Sequence, residues 1–504
     1  MGERRIDSVD VKSGDAYTYD EAVELTGHGR YNYLLLTACS IITNGFALDM
    51  FGYATVVAAS SCDLQLGLRE IGILASAPFA GVLFAFPWGY YADTSGRRRA
   101  LVLSSAVGFF FSAISSLSPN WPFMLVVKLI GCSFSTASFT LSMTILGECT
   151  GVRHRSEFLQ IMNSFNLASE LVSFGLAYFI LPLSFNIALP WLGITYRPWR
   201  LYTFIMALPL GVGALFTFFL YESPKYLASR GDHVKALEVL KRIYDINGGK
   251  KDGYPVKHIL TADTDTAPAS SFWKSISEHT VPIFKPPLLW RTVQLFFLLA
   301  LCCSTNNVFA MWFPSMVNFF FNSFNGEQKS DQSFCDRIYS QTSQINIIPE
   351  VSTYTCNDTI STNTIYSGLL YGLFYFLVNL GVSTFASRPR LVLITTLVVS
   401  GGSSILVNLK EPVSNMVFFT LMQATSLGIG LLAAYFVDLY PTCHRGLVTS
   451  LGMMVARLVS FMGVNVIGVV ITSHCELTFY FMSLLALSGV VVSLFLPPDR
   501  KTIK

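Results

Sequence analysis

Charged residues are scarce in this chain of 504 residues. Asp, Glu, Lys and Arg make up 13 % of it, whereas hydrophobic residues make up 52 %. A soluble globular chain carries about a quarter of charged residues, so the composition excludes an ordinary soluble protein and indicates a membrane protein. The formal net charge of +3 is too small to indicate a nucleic-acid-binding surface.

Motifs of catalysis and metal binding are also missing. The sequence contains no phosphate-binding loop, and its ten cysteines have no metal-ligand spacing. No nucleophile and base stand in a recognisable constellation. We therefore expect no enzyme, no metal site and no bound cofactor, and transport would have to be driven by a gradient. The first 30 residues lack an apolar core, which predicts that no signal peptide is cleaved.

Long apolar runs, by contrast, are abundant. About 20 apolar residues are needed to cross ~30 Å of hydrocarbon as a helix. Six such runs lie before a polar gap and six after it. The predicted spans are 31–58, 71–91, 100–118, 121–146, 158–182, 199–220, 288–320, 365–386, 390–408, 413–437, 446–472 and 477–496.

The basic residues lie mainly in alternate connections between these spans, which places both termini in the cytoplasm by the positive-inside rule. The connection after the seventh span then lies on the outer side. It contains Cys335 and Cys356, which can form a disulfide there, and Asn357, a glycosylation acceptor in the sequence Asn-Asp-Thr.

An internal repeat relates the two groups of six spans. Glu148 and Arg155 follow the fourth span, and Asp438 and Arg445 follow the tenth with the same spacing. Duplicated six-span halves are a common architecture of transporters, with the solute site between them. We predict an all-α membrane protein with 12 transmembrane helices in two pseudo-symmetric six-helix bundles. The expected segments are a cytoplasmic N-terminal segment (1–30), an N-terminal bundle (31–220), a cytoplasmic linker with a helix (221–287), a C-terminal bundle (288–496) and a cytoplasmic tail (497–504).

The connection after the second span carries glycines, an acid and arginines in a fixed spacing. Together with the acid-x6-Arg repeat and Glu222-Ser-Pro after the sixth span, this pattern resembles the major facilitator superfamily, in its sugar and organic-ion branch. The stretches Glu21-Ala22 and Gly29-Arg30, with Trp312-Phe313-Pro314, are most similar to the synaptic vesicle glycoprotein 2-like subgroup. The glutamine cluster of sugar carriers is missing from the seventh span, so a sugar is not favoured. The residues after the second span are Gly89, Asp93, Gly96, Arg97 and Arg98.

The same motifs predict a charge latch at the cytoplasmic end. Glycines allow close approach of helices and turn, and Asp93 with the arginines can pair with Glu148 and Arg155. We expect this latch to hold the outward-facing state and to break when the halves rock inward. The alternative is that these arginines act only as a topology signal.

Four ionisable residues fall inside predicted spans, where each costs ~2.5–3.5 kcal/mol on insertion scales and indicates function. They are Asp49, Lys128, Glu170 and Arg457. The Arg457 guanidinium can grip a carboxylate or sulfate, or it can pair with Glu170 or Asp49. Asp49 can carry a proton during transport, or it can be bridged permanently to Lys128 or Arg457. For Glu170 a structural pair is favoured over a functional role.

Three polar or amphipathic residues complete the candidate substrate site, namely Asn44, Trp312 and Gln423. In the resembled family the helices that carry them line the cavity, although interhelical hydrogen bonding would also explain them. The leading hypothesis is a monomeric secondary transporter of a small organic ion, preferably an anion, that works by alternating access in the lipid bilayer and can couple to protons. The alternative is a transporter-like vesicle protein that acts in binding or trafficking. Either would lie in the plasma membrane or a secretory or synaptic vesicle membrane.

Overall fold

The computed structural model describes residues 16–250, 253–260, 281–286, 288–325, 332–339, 360–383, 388–440, 442–471 and 473–497. Helices dominate this part of the chain. The elements up to the linker are β1 (Ala16–Thr18), α1 (Tyr19–Glu24), α2 (Arg30–Ala47), α3 (Tyr53–Ser60), α4 (Leu68–Ala80), α5 (Ala85–Ser95), α6 (Arg97–Ser115), α7 (Trp121–Cys149), α8 (Val152–Leu167), α9 (Ser169–Ile180), β2 (Ile187–Leu189), β3 (Ile194–Tyr196) and α10 (Pro198–Phe218).

The linker and the C-terminal bundle follow the same pattern of long helices. We call the end of the bundles that holds residues 16–30 and 221–260 the linker face. The opposite end, which holds residues 182–197 and 332–339, is the loop face. The remaining elements are α11 (Pro224–Ser229), α12 (His233–Ile246), β4 (His258–Leu260), α13 (Leu289–Asn322), α14 (Thr362–Ser383), α15 (Pro389–Leu406), α16 (Pro412–Leu421), α17 (Ser426–Leu439), α18 (Thr442–Val470) and α19 (Cys475–Ser493).

Local sequence signals explain where several spans begin. Helices α7, α10, α15 and α16 each carry proline in the first turn, where a missing N–H costs no hydrogen bond. At α7 the Asn120 side chain also accepts a hydrogen bond from the Phe123 N–H at 3.0 Å, which caps the helix. Apolar content makes these segments insert, and the caps set their boundaries.

Nine helical segments in the described part of the chain are long and apolar enough to cross a membrane, so the predicted count of 12 is not confirmed exactly. The segments outside this count are α4–α5, α8–α9 and α14. The first is interrupted by a 3₁₀ turn, Gly81–Phe84, that follows Pro78, and the second restarts at Ala168. Many large apolar side chains point outward from the helices, including Leu215, Leu370 and Leu484, as a lipid-facing surface requires.

Two short strand pairs lie at opposite ends of the bundles. At the linker face, β1 pairs in parallel with β4, with Ala16 opposite His258. At the loop face, β2 and β3 form an antiparallel pair. Asp232 caps α12, as the sequence indicates, by accepting a hydrogen bond from the Lys235 N–H at 3.2 Å. On α12 the side chain of Leu240 is buried, whereas Val234 is 81 % exposed.

The two bundles pack against each other toward the loop face. Helix α4 contacts α18, α9 contacts α14, and α3 contacts α13. The contacts are close: a Cβ added to Gly372 would lie 2.9 Å from the Leu171 amide nitrogen, and one on Gly468 would lie 3.4 Å from the Gly72 Cα. One buried apolar cluster runs through both bundles here, while the linker-face core of the C-terminal bundle forms a separate cluster. The described residues therefore show a conformation that is closed at the loop face.

The predicted disulfide between Cys335 and Cys356 is wrong. Cys335 bonds Cys475, the first residue of α19, with Cα atoms 5.8 Å apart. The helical stretch 334–339 is held beside α19, because the Cys475 N–H also donates to the Tyr339 hydroxyl at 2.8 Å. Cys335 pairs across a separation of 140 residues, which spacing alone could not indicate. Cys356 and the predicted acceptor Asn357 lie outside the described residues.

Candidate functional site

Two candidate residues lie where the α-helical hydrogen-bond pattern is broken. Asp49 is in a π-helical turn, Leu48–Gly52, between α2 and α3. Gln423 is in a 3₁₀ turn, Met422–Thr425, between α16 and α17. Such irregular turns inside long helices often mark functional positions.

Asp49 forms a buried ion pair with Lys128 of α7. The Lys128 ammonium also donates to the Asp49 backbone carbonyl at 2.7 Å and lies 4.3 Å from the centre of the Tyr53 ring. The Asp49 carboxylate accepts further hydrogen bonds from the hydroxyls of Ser112 and Ser135, at 2.5 Å and 3.1 Å. Both charges are thus compensated within the N-terminal bundle.

The space beside this pair is small. A cavity of about 10 Å³, lined in part by Asp49, Lys128 and Met206, borders the two side chains. A cavity of this size holds about one water molecule. In this conformation the pair has room to exchange a proton with water but not to contact an organic solute.

Arg457 of α18 reaches across to the N-terminal bundle. Its guanidinium donates to the Thr136 hydroxyl of α7 at 3.2 Å and lies 5.7 Å from the centre of the Phe46 ring of α2. The Cys303 sulfur of α13 is within electrostatic range. No carboxylate in the described part of the chain is within ion-pair distance, so the pairing with Glu170 or Asp49 that was weighed from sequence is not formed.

Glu170 lies in the first turn of α9 and keeps part of its side-chain surface accessible. Its carboxylate is within electrostatic range of the Tyr202 and Tyr371 hydroxyls. It has no hydrogen bond or ion pair among the residues that the structure describes. The structural pair favoured from sequence is therefore not formed, because Lys128 is engaged by Asp49 and Arg457 faces Thr136.

The three polar candidates hold helices together. The Asn44 amide donates to the Phe165 carbonyl at 2.8 Å, and the Trp312 indole donates to the Val464 carbonyl at 3.1 Å. Gln423 accepts a hydrogen bond from the Tyr371 hydroxyl at 2.9 Å, while its own amide nitrogen is buried without a partner among the described residues. Of the three, Gln423 therefore has a donor left for a ligand.

Sequence reasoning missed two asparagines at the middle of α13. Asn306 donates to the Asn307 side chain at 3.1 Å, and Asn307 donates to the Ser460 hydroxyl at 3.1 Å. The side-chain carbonyl oxygen of Asn306 is buried, and no residue in the described ranges donates to it. Two consecutive amides in an apolar run were a visible signal, since a buried amide needs partners.

At the linker face, the acid of the first repeat joins three parts of the chain. Glu148 lies 3.4 Å from the Arg97 Nε and accepts a hydrogen bond from the Ser223 hydroxyl at 2.5 Å. Next to it, Glu222 accepts a hydrogen bond from the Arg98 N–H at 2.8 Å. These contacts join α6 and α7 to the start of the linker, and they are formed in a conformation whose loop face is closed.

Arg155 does not pair with Glu148. It pairs instead with Asp20 of the N-terminal segment, with Nη2 and Oδ1 2.8 Å apart. The neighbouring Tyr19 hydroxyl donates to the Glu148 carbonyl at 2.7 Å. Burial raises the pKa of Tyr19 well above its ordinary value of 10.0, so this hydroxyl keeps its proton. Sequence analysis missed both residues because they precede the first span.

The two glycines of the turn motif differ. Gly96 has φ +108°, and a Cβ there would lie 2.5 Å from a Glu222 carboxylate oxygen, so this position requires glycine. A Cβ on Gly89 would meet nothing within 4 Å, so the described residues do not show the predicted close approach there. The side chains of Asp93, Asp438 and Arg445 lie outside the described part of the structure.

Comparison with known proteins assigns the chain to a family. The sequence model of the Major Facilitator Superfamily matches residues 37–326. This range exceeds half of the chain, and the chain belongs to that family of membrane transporters. It is an integral, multi-pass membrane protein.

Among curated proteins, the chain is similar to synaptic vesicle proteins. It is 26 % identical over 249 residues to synaptic vesicle glycoprotein 2C of Mus musculus, a match that covers 49 % of this chain and 33 % of the relative. It is 27 % identical over 236 residues to synaptic vesicle 2-related protein of Xenopus laevis, covering 46 % and 40 %. The matched segments thus span less than half of these relatives.

Solved structures support the fold. The partially occluded inward-open conformation of the xylose transporter XylE from E. coli superposes with a TM-score of 0.61, at 13 % identity, over 94 % of this chain and all of that one. The inward-open conformation gives a TM-score of 0.60 at 14 % identity, over 93 % and 98 %. At these identities the likeness concerns the fold and not the substrate.

Proposed function

We propose that this protein is a secondary transporter that carries a small organic anion between the two faces of a membrane by alternating access. The two bundles rock about a central site, and the loop-face contacts between α4 and α18 and between α9 and α14 close one entrance. The linker face is proposed to be cytoplasmic, in keeping with the clustered arginines there. The described structure then corresponds to a state closed to the outside.

Arg457 carries this proposal. Its guanidinium lies between the bundles, where it donates to Thr136 and lies over the Phe46 ring, and none of the described residues supplies a counter-charge. A cation in a low-dielectric site attracts an anionic solute, and a guanidinium can bind a carboxylate through two parallel hydrogen bonds. The Asn306 carbonyl and the Gln423 amide offer further polar contacts near the middle of the bundles.

Coupling to protons is proposed to act through Asp49. Its partner Lys128 and the adjacent one-water cavity give the carboxylate a route to exchange a proton if the ion pair opens during rocking. No ion pair joins Asp49 to Arg457 in the described part of the chain, so the solute and the proton would be bound by different side chains.

Purified protein in lipid vesicles tests the proposal. Flux of labelled carboxylates should depend on Arg457: Arg457→Gln should abolish most of it, while Arg153→Gln, a change at an exposed arginine of α8, should leave it intact. Equal flux in the Arg457→Gln variant would contradict the anion site. If no organic ion moves under any gradient, a binding or trafficking role in vesicles, as the similarity to synaptic vesicle proteins allows, replaces transport.

A further inference from the structure

Within the described part of the chain, Arg457 shares its lack of an ion-pair partner with a second ionisable residue between the bundles. This residue is Glu170, whose ionised form has the opposite sign. Both are on helices at the boundary between the bundles, both keep accessible side-chain surface, and neither has an ion-pair partner among the described residues. Isolated charges inside a membrane protein are costly and are retained for function.

The heights of the two charges along the bundle can be compared. Helices α2 and α8–α9 both run from the linker face to the loop face, and the hydrogen bond from Asn44 to the Phe165 carbonyl aligns them. Phe46, which lies under the Arg457 guanidinium, is two residues beyond Asn44, and Glu170 is five residues beyond Phe165. At 1.5 Å per residue, Glu170 lies about 4.5 Å closer to the loop face than Phe46.

The surroundings of Glu170 suit an ammonium group. Phe174 follows it by four residues, on the same side of the helix. The Phe174 ring packs against Phe313 with centroids 6.1 Å apart, and Phe313 packs against Tyr371 at 4.8 Å. All three rings are buried, so they form an apolar wall on the loop side of Glu170, and in such low-dielectric surroundings the attraction of a carboxylate for an ammonium group is strong.

Resting on the proposed function, we infer that the solute is a zwitterion, an organic carboxylate that also carries an ammonium group. Arg457 and Thr136 bind its carboxylate, and Glu170 binds its ammonium. One solute then compensates both charges at once. A plain carboxylate would satisfy Arg457 and leave Glu170 unpaired.

A four-probe series tests this inference. The probes are butanoate, 4-aminobutanoate, 4-(trimethylammonio)butanoate and butylamine, each assayed by uptake into vesicles containing the purified full-length protein and by the shift in its thermal unfolding. We expect the two zwitterions to be favoured over butanoate and butylamine by at least about tenfold, a difference of ~1.4 kcal/mol.

Glu170→Gln should remove this preference: the zwitterions should weaken about tenfold while butanoate is unchanged or improved. Arg457→Gln should weaken butanoate and the zwitterions together. The matched control is Glu157→Gln, which alters an acid on the exposed side of α8 and should change nothing.

The outcomes separate the inference from the proposed function. If butanoate equals the zwitterions and Glu170→Gln does not alter the ranking, the inference is overturned and the anion transporter stands. If Glu170→Gln changes only the pH dependence of uptake, Glu170 carries a proton instead of binding an ammonium group. That result also overturns the inference. If Arg457→Gln changes nothing, the proposed function fails. Binding of none of the four probes in either assay overturns the assignment of this solute class.

Discussion

Ionisable side chains lie inside the bundles at two places, and the two places differ in how the charges are compensated. In the N-terminal bundle, Asp49 and Lys128 neutralise each other and are surrounded by hydroxyl donors. Between the bundles, Arg457 and Glu170 have no such partners among the described residues. A pair that the protein completes by itself holds helices together, whereas an incomplete pair is open to a ligand. The difference predicts opposite responses to mutation at the two places.

The largest effect is expected from Lys128→Met. It leaves the Asp49 carboxylate buried, at 5 % exposure, without a counter-charge, and breaking a buried pair in this way costs about 3–5 kcal/mol. The midpoint temperature of thermal unfolding, measured in detergent, should fall strongly. The double variant Asp49→Asn with Lys128→Met should recover most of the stability, and a single variant as stable as the double one would contradict the pairing.

Arg457→Gln should reduce transport and leave stability intact, in contrast to Lys128→Met. Transport should fall on the order of 10- to 100-fold, because a hydrogen bond to a charged group is worth about 1.5–3 kcal/mol. Thermal stability should hold or rise, since an uncompensated charge is removed. A loss of stability as large as that of Lys128→Met would show that Arg457 is structural.

Gly372→Ala tests the closure at the loop face, where α14 meets α9 next to Glu170. Its Cβ would lie 2.9 Å from the Leu171 amide nitrogen, and such overpacking costs about 1–3 kcal/mol. The conformation closed at the loop face should be less populated, and maleimide labelling of Cys303 from that side, measured by mass spectrometry, should increase. Gly402→Ala, which meets nothing within 4 Å, is the control, and equal labelling in both variants would rule the contact out as a gate.

The smallest effect is expected at the linker face. Arg155 and Asp20 pair with each other, and their own side chains are 32 % and 56 % exposed. Exposed pairs of this kind contribute about 0–1 kcal/mol to the free energy of unfolding. Arg155→Gln and Asp20→Asn should each shift thermal unfolding only slightly, and a double-mutant cycle should give a coupling within that range. A coupling several times larger would show that the N-terminal segment is an essential part of the folded linker face.

Much of the fold could be predicted from the chain alone. Apolar runs, Pro and Asn at helix starts, and the repeat of Glu148-x6-Arg155 led to two bundles and to the transporter family. The four intramembrane charges were visible for the same reason, since charges are rare in apolar runs. Their pairing was not, because it depends on which helix faces which.

Particular residues show why the remainder had to come from the structure. Cys335 pairs with Cys475, and Arg155 with Asp20, because helix packing brings together residues that are 140 and 135 positions apart. The aromatic cluster around Glu170 likewise joins residues of three separate helices.

Composition and local spacing determine the membrane environment, the helices and the family, because insertion and helix formation depend on near neighbours in the chain. Only tertiary packing decides that Asp49 is neutralised while Arg457 and Glu170 have no counter-charge among the described residues, because charge compensation depends on distances between side chains that the sequence order does not contain.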